Sequence, residues 1–327
     1  MRKPTRPREV GRGERVLPGA WRLRLPLRLP GVPHVNAWAL QAGDGIVLVD
    51  TGIHDKGTIH DLERALFQAG FRLEDVRLVL ITHAHIDHCG QAPLVAERAG
   101  CEVWIHPAFR EHAQGEDSIA RAVEVGRQSG VPEDRLRGYA ERREQGGSGQ
   151  AGTLTSDRDL VPGVEIESDL GPWQVIETPG HAPSHVCLHQ TDRRLLISGD
   201  HLLGRVSLYF DVGYTPDPVG EFLHSLDVVE RLDARLALAG HARPFTDLPG
   251  HIQGNRELVA RRLDAVRGVL ADGPRTAYEI ARAVYGDAYQ AEMGSWLLTK
   301  TLAWLTHLRA LGQLSNSGGS PERWSLD

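Results

Sequence analysis

The segment His83-Ala84-His85-Ile86-Asp87-His88 places three histidines and an aspartate within six residues, directly behind an apolar run from Val76 to Ile81. A short continuous apolar run reads as a buried strand. A strand that runs straight into such a cluster points its side chains at one place outside the sheet edge. Neutral imidazole and carboxylate are the donors that zinc and iron accept, so this segment predicts a metal site. A single surface histidine is ordinarily just solvated. Four ligand-type residues at this spacing would crowd polar groups without any packing benefit.

The same plan recurs along the chain. His181 lies in Thr178-Pro179-Gly180-His181-Ala182-Pro183-Ser184-His185, after the apolar stretch Trp173 to Ile176. Asp200 lies in Ser198-Gly199-Asp200-His201, after Leu195-Leu196-Ile197, and His241 in Ala239-Gly240-His241, after Leu236-Ala237-Leu238. Asp50 ends Ile46-Val47-Leu48-Val49 and is followed by Thr51-Gly52. For His181, Asp200 and His241 a buried strand leads into a tight turn that glycine permits and then the candidate ligand, while Asp50 ends its strand directly.

The motifs LVDTG, THAHIDHCG, TPGHAPSH, SGDHLL and LAGHARPF arrive in this order between residues 46 and 245. Together they resemble the metallo-β-lactamase-fold hydrolase superfamily. The resemblance implies an α/β fold, a four-layer αβ/βα sandwich with metals at the sheet edges. Position by position it implies one metal ion held by His83, His85 and His181, and a second held by Asp87, His88 and His241. Asp200 would bridge the two, and Asp50 would orient the ligands from behind. The Asp87-His88 pair and Asp200 match the branch with glyoxalase II-like and lactonase-like enzymes. Two divalent ions, zinc first and iron or manganese as alternatives, would then generate a shared hydroxide as nucleophile. Asp87 would relay a proton to the leaving group.

The composition agrees with a soluble cytoplasmic enzyme. No uninterrupted apolar run is long enough to span a membrane. Residues 1–18 read as a disordered basic tail rather than a secretory signal, being rich in arginine and proline. Cys89, Cys101 and Cys187 form no even framework, which suggests a reducing compartment. A formal net charge of −6 argues against a general nucleic-acid binder.

The catalytic domain is expected over 19–250, with an insertion at 107–160. Ala108 to Gln128 and Glu133 to Gln145 read as charged helices, followed by a glycine-rich loop. The insertion is either a lid, with Phe109 and Tyr139 facing a ligand, or a solvated surface element. Tyr209 and Tyr214 follow Asp200 and are candidate pocket residues, able to donate a hydrogen bond to an oxyanion. Beyond residue 250 the pattern changes. Three amphipathic helices are expected, near Asn255 to Ala271, Thr276 to Val284 and Ser295 to Leu311. A hairpin follows, completing a winged-helix-like α+β domain over 251–327. It resembles the segment that follows the catalytic domain in the β-lactamase-like ribonuclease subgroup. Its near-neutral charge favours a structural or homodimerising cap over an RNA-binding module.

Three activities are therefore expected of such a chain. The first is hydrolysis of an ester, thioester or lactone of a small molecule. The second is single-strand ribonuclease or phosphodiesterase activity on the same site. The third is a mononuclear-iron persulfide dioxygenase, which would not need the full second ligand set.

Overall fold

The computed structural model describes residues 10–29, 32–113, 118–145, 148–289 and 294–327. The chain opens with an antiparallel meander of β1 (Arg12–Leu17), β2 (Ala20–Leu29), β3 (Val32–Ala42) and β4 (Gly45–Val49). Helix α1 (Thr58–Ala69) returns the chain to β5 (Val76–Ile81), parallel to β4. The short helix α2 (Ile86–Cys89) and α3 (Ala92–Ala99) then lead to β6 (Glu102–Ile105), again parallel. Helices α4 (Phe109–Ala113), α5 (Ser118–Gln128) and α6 (Glu133–Gln145) precede β7 (Arg158–Asp159), which completes a seven-stranded sheet in sequence order.

The second sheet holds β8 (Glu165–Ile166), β9 (Trp173–Glu177), β10 (Val186–Gln190), β11 (Leu195–Gly199) and β12 (Leu236–Ala239), in the order β12-β11-β10-β9-β8. Its one parallel pair, β11 with β12, is joined through α7 (Pro218–Glu230). Helices α8 (Leu248–Leu270), α9 (Ala277–Tyr285) and α10 (Gly294–Ala310) follow, and β13 (Leu314–Asn316) pairs antiparallel with β14 (Trp324–Leu326).

The strand period of two sorts the side chains into layers. On β3 and β4, Ala37, Ala39, Ile46 and Leu48 pack under α1 and α3 with Leu62, Leu66 and Val95. Their neighbours Trp38, Leu40, Val47 and Val49 face the second sheet and meet Trp173, Val175, Leu188 and Ile197. On the far side of that sheet, Cys187, Leu196 and Ala237 pack against Phe222 and Leu226 of α7. The result is helix, sheet, sheet, helix: the four-layer sandwich that the resemblance implies.

Three expectations are refined here. Arg12–Leu17 form β1 on β2, so the tail expected to be disordered over 1–18 contains a strand; residues 1–9 lie outside the described residues. Helices α4 and α5 occupy the stretch expected to be helical over 108–128, with residues 114–117 outside the described residues. The C-terminal helices add to the α7 core rather than forming one of their own. Leu263, Trp304 and Trp324 join the same buried cluster as Leu196 and Phe222. Helix α8 starts earlier than expected because Asp247 caps it, accepting from the Gly250 amide at 3.0 Å. Thr276 and Glu279 form the capping box that starts α9.

Candidate metal centre

Topology brings the motifs to one place. β4 and β5 run parallel, so Asp50 and His83 leave the first sheet at the same edge. β9, β11 and β12 also point one way, since β10 is antiparallel to both β9 and β11. They deliver His181, Asp200 and His241. Hydrogen bonds tie the two edges together: Val186 N to Thr82 O at 2.8 Å, and Asn36 N to Gly240 O at 2.7 Å. Two glycines make the convergence possible. A Cβ at Gly240 would lie 2.3 Å from Asp200 Oδ1, and Gly199 turns at φ +46, where a Cβ would lie 2.6 Å from His185 Nε2.

Among the described residues, three groups each bring their ligand-type atoms within 4.8 Å of one another: His83, His85 and His181; Asp87, His88 and His241; and His83, His88 and Asp200. Asp200 reaches toward both trios. Its Oδ2 is 3.2 Å from His241 Nε2 and 3.8 Å from His181 Nε2, and its Oδ1 is 3.5 Å from His88 Nε2. Asp87 Oδ2 is 3.3 Å from His241 Nε2.

What sits behind the ring of histidines fixes their protonation. His88 Nδ1 donates to Asp50 Oδ2 at 2.8 Å. His181 Nδ1 donates to the Tyr209 carbonyl and His241 Nδ1 to the His34 carbonyl, each at 3.0 Å. His85 Nε2 donates to Asp211 at 3.0 Å. Thr82 Oγ1 gives its proton to Asp50 and so accepts from His83 Nδ1 at 3.0 Å. A neutral imidazole has one donor and one acceptor nitrogen, so these partners assign the tautomers. In their neutral forms all five rings therefore turn a lone pair inward. His85 Nδ1 meets both His83 Nε2 and His181 Nε2 at 3.0 Å. Acceptors that close repel unless a cation or proton lies among them. His88 Nε2 and Asp200 Oδ1 are also buried without a hydrogen-bond partner among the described residues. The donor set thus fits divalent ions, and the backing bonds are of the kind that orient metal-ligating histidines.

The electrostatics follow from the same contacts. Burial alone would raise the Asp87 carboxyl, but His88 and His241 hold it well below the usual range. Asp200 behaves likewise, lowered by His241 and His88 against burial. Burial works against protonating His241, yet Asp200 and Asp87 raise it to about 10. His181, desolvated and beside His85, is pushed down to about 4.

The two tyrosines lie on the His85 and His181 side. The Tyr209 ring stands 5.7 Å from the His85 ring and 5.8 Å from that of His181, and Trp296 of α10 continues the wall at 6.1 Å. Burial pushes the Tyr209 phenol far up, so it stays a donor. Tyr214 is half-buried, with the Arg121 guanidinium 4.9 Å from its ring centre. Phe109 is a core residue, 5% exposed and packed with the α3 side of the first sheet, so it faces no ligand. Four residues escaped the sequence reading. His185 Nε2 accepts from the Asp200 amide at 3.0 Å and so fixes that loop. Asp211, the His34 carbonyl and Trp296 come from segments without a metal motif. Only His185 carried a legible cue, by its place in TPGHAPSH.

Comparisons with known proteins agree with this architecture. The family model for the metallo-beta-lactamase superfamily matches residues 30–241. A Bacillus subtilis protein named probable metallo-hydrolase YqjP is 26% identical over 265 residues, covering 78% of this chain and 82% of its own. The human protein named acyl-coenzyme A thioesterase MBLAC2 is 26% identical over 225 residues, covering 64% and 74%. Among solved structures, a metallo-beta-lactamase family protein from Thermus thermophilus superposes with a TM-score of 0.82 at 28% identity, covering 96% of this chain and all of its own. A beta-lactamase domain protein from Burkholderia ambifaria gives 0.84 at 26%, covering 99% and 96%.

Proposed function

This chain belongs to the metallo-beta-lactamase superfamily and is a metallo-hydrolase, and from that premise we propose that it hydrolyses a small ester, thioester or lactone at a dinuclear centre. The observation that carries the reading is the pair of complete trios sharing Asp200 between them. His83, His85 and His181 would hold one divalent ion, Asp87, His88 and His241 the other, with Asp200 common to both and zinc the first choice of metal. Bound there, divalent ions would lower the pKa of a coordinated water and polarise the substrate carbonyl.

The chain's own residues do the rest. Asp87, 3.8 Å from His88 Nε2 and 3.3 Å from His241 Nε2, would take up the proton lost by the attacking water and return it to the leaving group. Tyr209, kept protonated by burial, donates a hydrogen bond to the developing oxyanion. Its ring and Trp296 offer an apolar wall for the acyl side. A thioester substrate draws support from the relative named an acyl-coenzyme A thioesterase.

Residues 251–327 form, in this reading, a winged-helix-like cap with a structural role. Trp296 takes part in the pocket wall, and the cap's core is continuous with that of α7. We place the enzyme in the cytoplasm, and no helix among the described residues is long and apolar enough to cross a membrane.

The test is metal analysis of purified protein, followed by a panel of thioester, lactone, phosphodiester and single-stranded RNA substrates on wild type and Asp87→Ala. About two divalent ions per chain are expected, with carbonyl substrates turned over and the variant inactive. One iron per chain overturns the hydrolase reading, turnover of RNA alone overturns the substrate class, and unaltered turnover in the variant removes the role of Asp87.

A further inference from the structure

Beside the loop that carries His241 lies a groove of about 520 Å³, lined by residues that include Arg12, Glu14, Arg15, Arg22, Arg24 and Arg243. It arises from the strand period. The β1–β2 register pairs Arg12 with Arg24 and Glu14 with Arg22, so these four share one sheet face. The alternate residues of β2, Leu23, Leu25 and Leu27, go under α1. On this face the β2 residues pair with Trp38 and Asn36 of β3, at the margin where the second sheet ends.

The groove is joined to the metal centre through shared residues. Arg22 Nη1 donates to the Ala242 carbonyl at 3.2 Å, next to His241. Arg243 follows one residue later. Asn36 holds the Ala239 and Ala242 carbonyls at 2.9 and 3.1 Å, and the His34 carbonyl on the same strand accepts from His241 Nδ1. The wall of the groove and the support of His241 are therefore one piece of structure.

Its charge is unusual for this chain. Five arginines and one glutamate line it, in a protein whose formal net charge is −6. Arg22 is 5% exposed and takes up Glu14 at 2.6 Å, yet its Nε is buried with no hydrogen-bond partner among the described residues. Arg12 and Arg24 have partners of their own. Arg15 and Arg243 are exposed and form no side-chain hydrogen bond or ion pair among the described residues. Crowding like charges around a concavity costs free energy unless an anion offsets it. Guanidinium groups match phosphate oxygens in geometry and charge. A volume of this size suits a small ligand, and a local groove on an acidic protein is not the extended basic stripe that a nucleic-acid strand needs.

We propose that this groove binds the phosphate groups of the substrate's leaving-group half, so that the enzyme acts on an acyl ester or thioester of a phosphorylated carrier. The proposal rests on the hydrolase reading above for the acyl half alone. The scissile carbonyl would sit between the aromatic wall at His85 and His181 and the arginines beyond His241.

The experiment separates the two ideas by measuring binding as well as turnover. Adenosine 3′,5′-bisphosphate, which has no bond to hydrolyse, is titrated calorimetrically into the full-length protein at low salt. The partners are wild type and the double variant Arg15→Ala/Arg243→Ala, chosen because these side chains support no other group. Removing one charge-assisted hydrogen bond is expected to weaken binding about tenfold, so removing the pair should weaken it roughly hundredfold, and binding to wild type should weaken as salt rises. Equal affinity in the two proteins overturns the groove. In parallel, one acyl group is presented on coenzyme A and on uncharged N-acetylcysteamine. Wild type should prefer the phosphorylated carrier through KM, and the double variant should lose that preference. Absence of turnover on either thioester would sink the carbonyl-hydrolase reading while leaving the binding result to decide the groove. A single-stranded oligonucleotide that displaces the bisphosphate with affinity rising with its length would overturn the small-substrate assignment.

Discussion

Gly240→Ala tests whether the centre is held by steric fit rather than by ligand identity alone. Gly240 is absent from the positive-φ glycines, so alanine meets no backbone strain there and only the new methyl acts. An ideal Cβ lies 2.3 Å from Asp200 Oδ1 and 2.7 Å from His88 Cε1. Restoring a van der Waals separation of about 3.5 Å requires the carboxylate and the ring to retreat by roughly 1 Å. Ala237, Leu238 and Ala239 of the strand behind them are buried, so this shift falls mainly on the side chains. A misplacement of about 1 Å costs about 10²-fold in rate, or about 2.7 kcal/mol of transition-state stabilisation. Overpacking should add about 1–3 kcal/mol of lost fold stability. The assay is metal content, kcat/KM on the best substrate of the panel, and urea unfolding. Gly268→Ala is the control, since it lies in α8 with nothing within 4 Å of its Cβ. That change should stabilise by about 0.5–1 kcal/mol and leave turnover alone. If Gly240→Ala keeps full metal content and kcat/KM within about threefold of wild type, the steric reasoning is wrong.

Asp50→Asn should weaken metal binding about 10–100-fold, read by competition with a chelating dye. One carboxylate oxygen accepts from His88 Nδ1 and the other from the Thr82 amide, so either orientation of an amide sets donor against donor; unchanged affinity would remove Asp50 from the ligand-orienting role. Trp296→Ala should raise KM for long acyl chains more than for acetyl, measured over a chain-length series, because the wall it removes is apolar; a uniform change across the series would place Trp296 outside the pocket. The metal-free protein should be most stable near pH 6.5, followed by chemical denaturation across pH. His181, His34 and His201 are held neutral, mainly by burial, at about 4, about 4 and about 3. The unfolded chain therefore takes up their protons first, and stability falls as pH drops from 6.5 through 4. His241, raised to about 10, contributes fully below 6.5 and loses that contribution as pH climbs to 10. Bound metal replaces the proton on His241, so loading should abolish the alkaline decline; a metal-free protein equally stable at pH 6.5 and 10 would contradict this.

The residues that gather at the candidate centre were legible in the sequence because their segments follow strand ends. A strand end is marked by local information, an apolar run followed by a turn residue. His83 to His88, His181, Asp200 and His241 needed no knowledge of neighbours in space to be singled out. Alternating runs and helical stripes such as that of α1 marked a mixed α/β sandwich, while its four layers came from the family resemblance. The tertiary structure alone decided what depends on distant segments. Which nitrogen each histidine turns inward is set by Asp50, Thr82, Asp211 and two backbone carbonyls, none of them next to the ring it holds except Thr82. The aromatic wall needs α10 folded back on the catalytic sheets. β1 escaped because its charged sequence resembles a solvated tail, and only pairing with β2 makes it a strand. The arginine groove escaped for the same reason: Arg12, Arg22, Arg24 and Arg243 gather at one place through sheet register and a loop more than two hundred residues away, and no local pattern records that meeting.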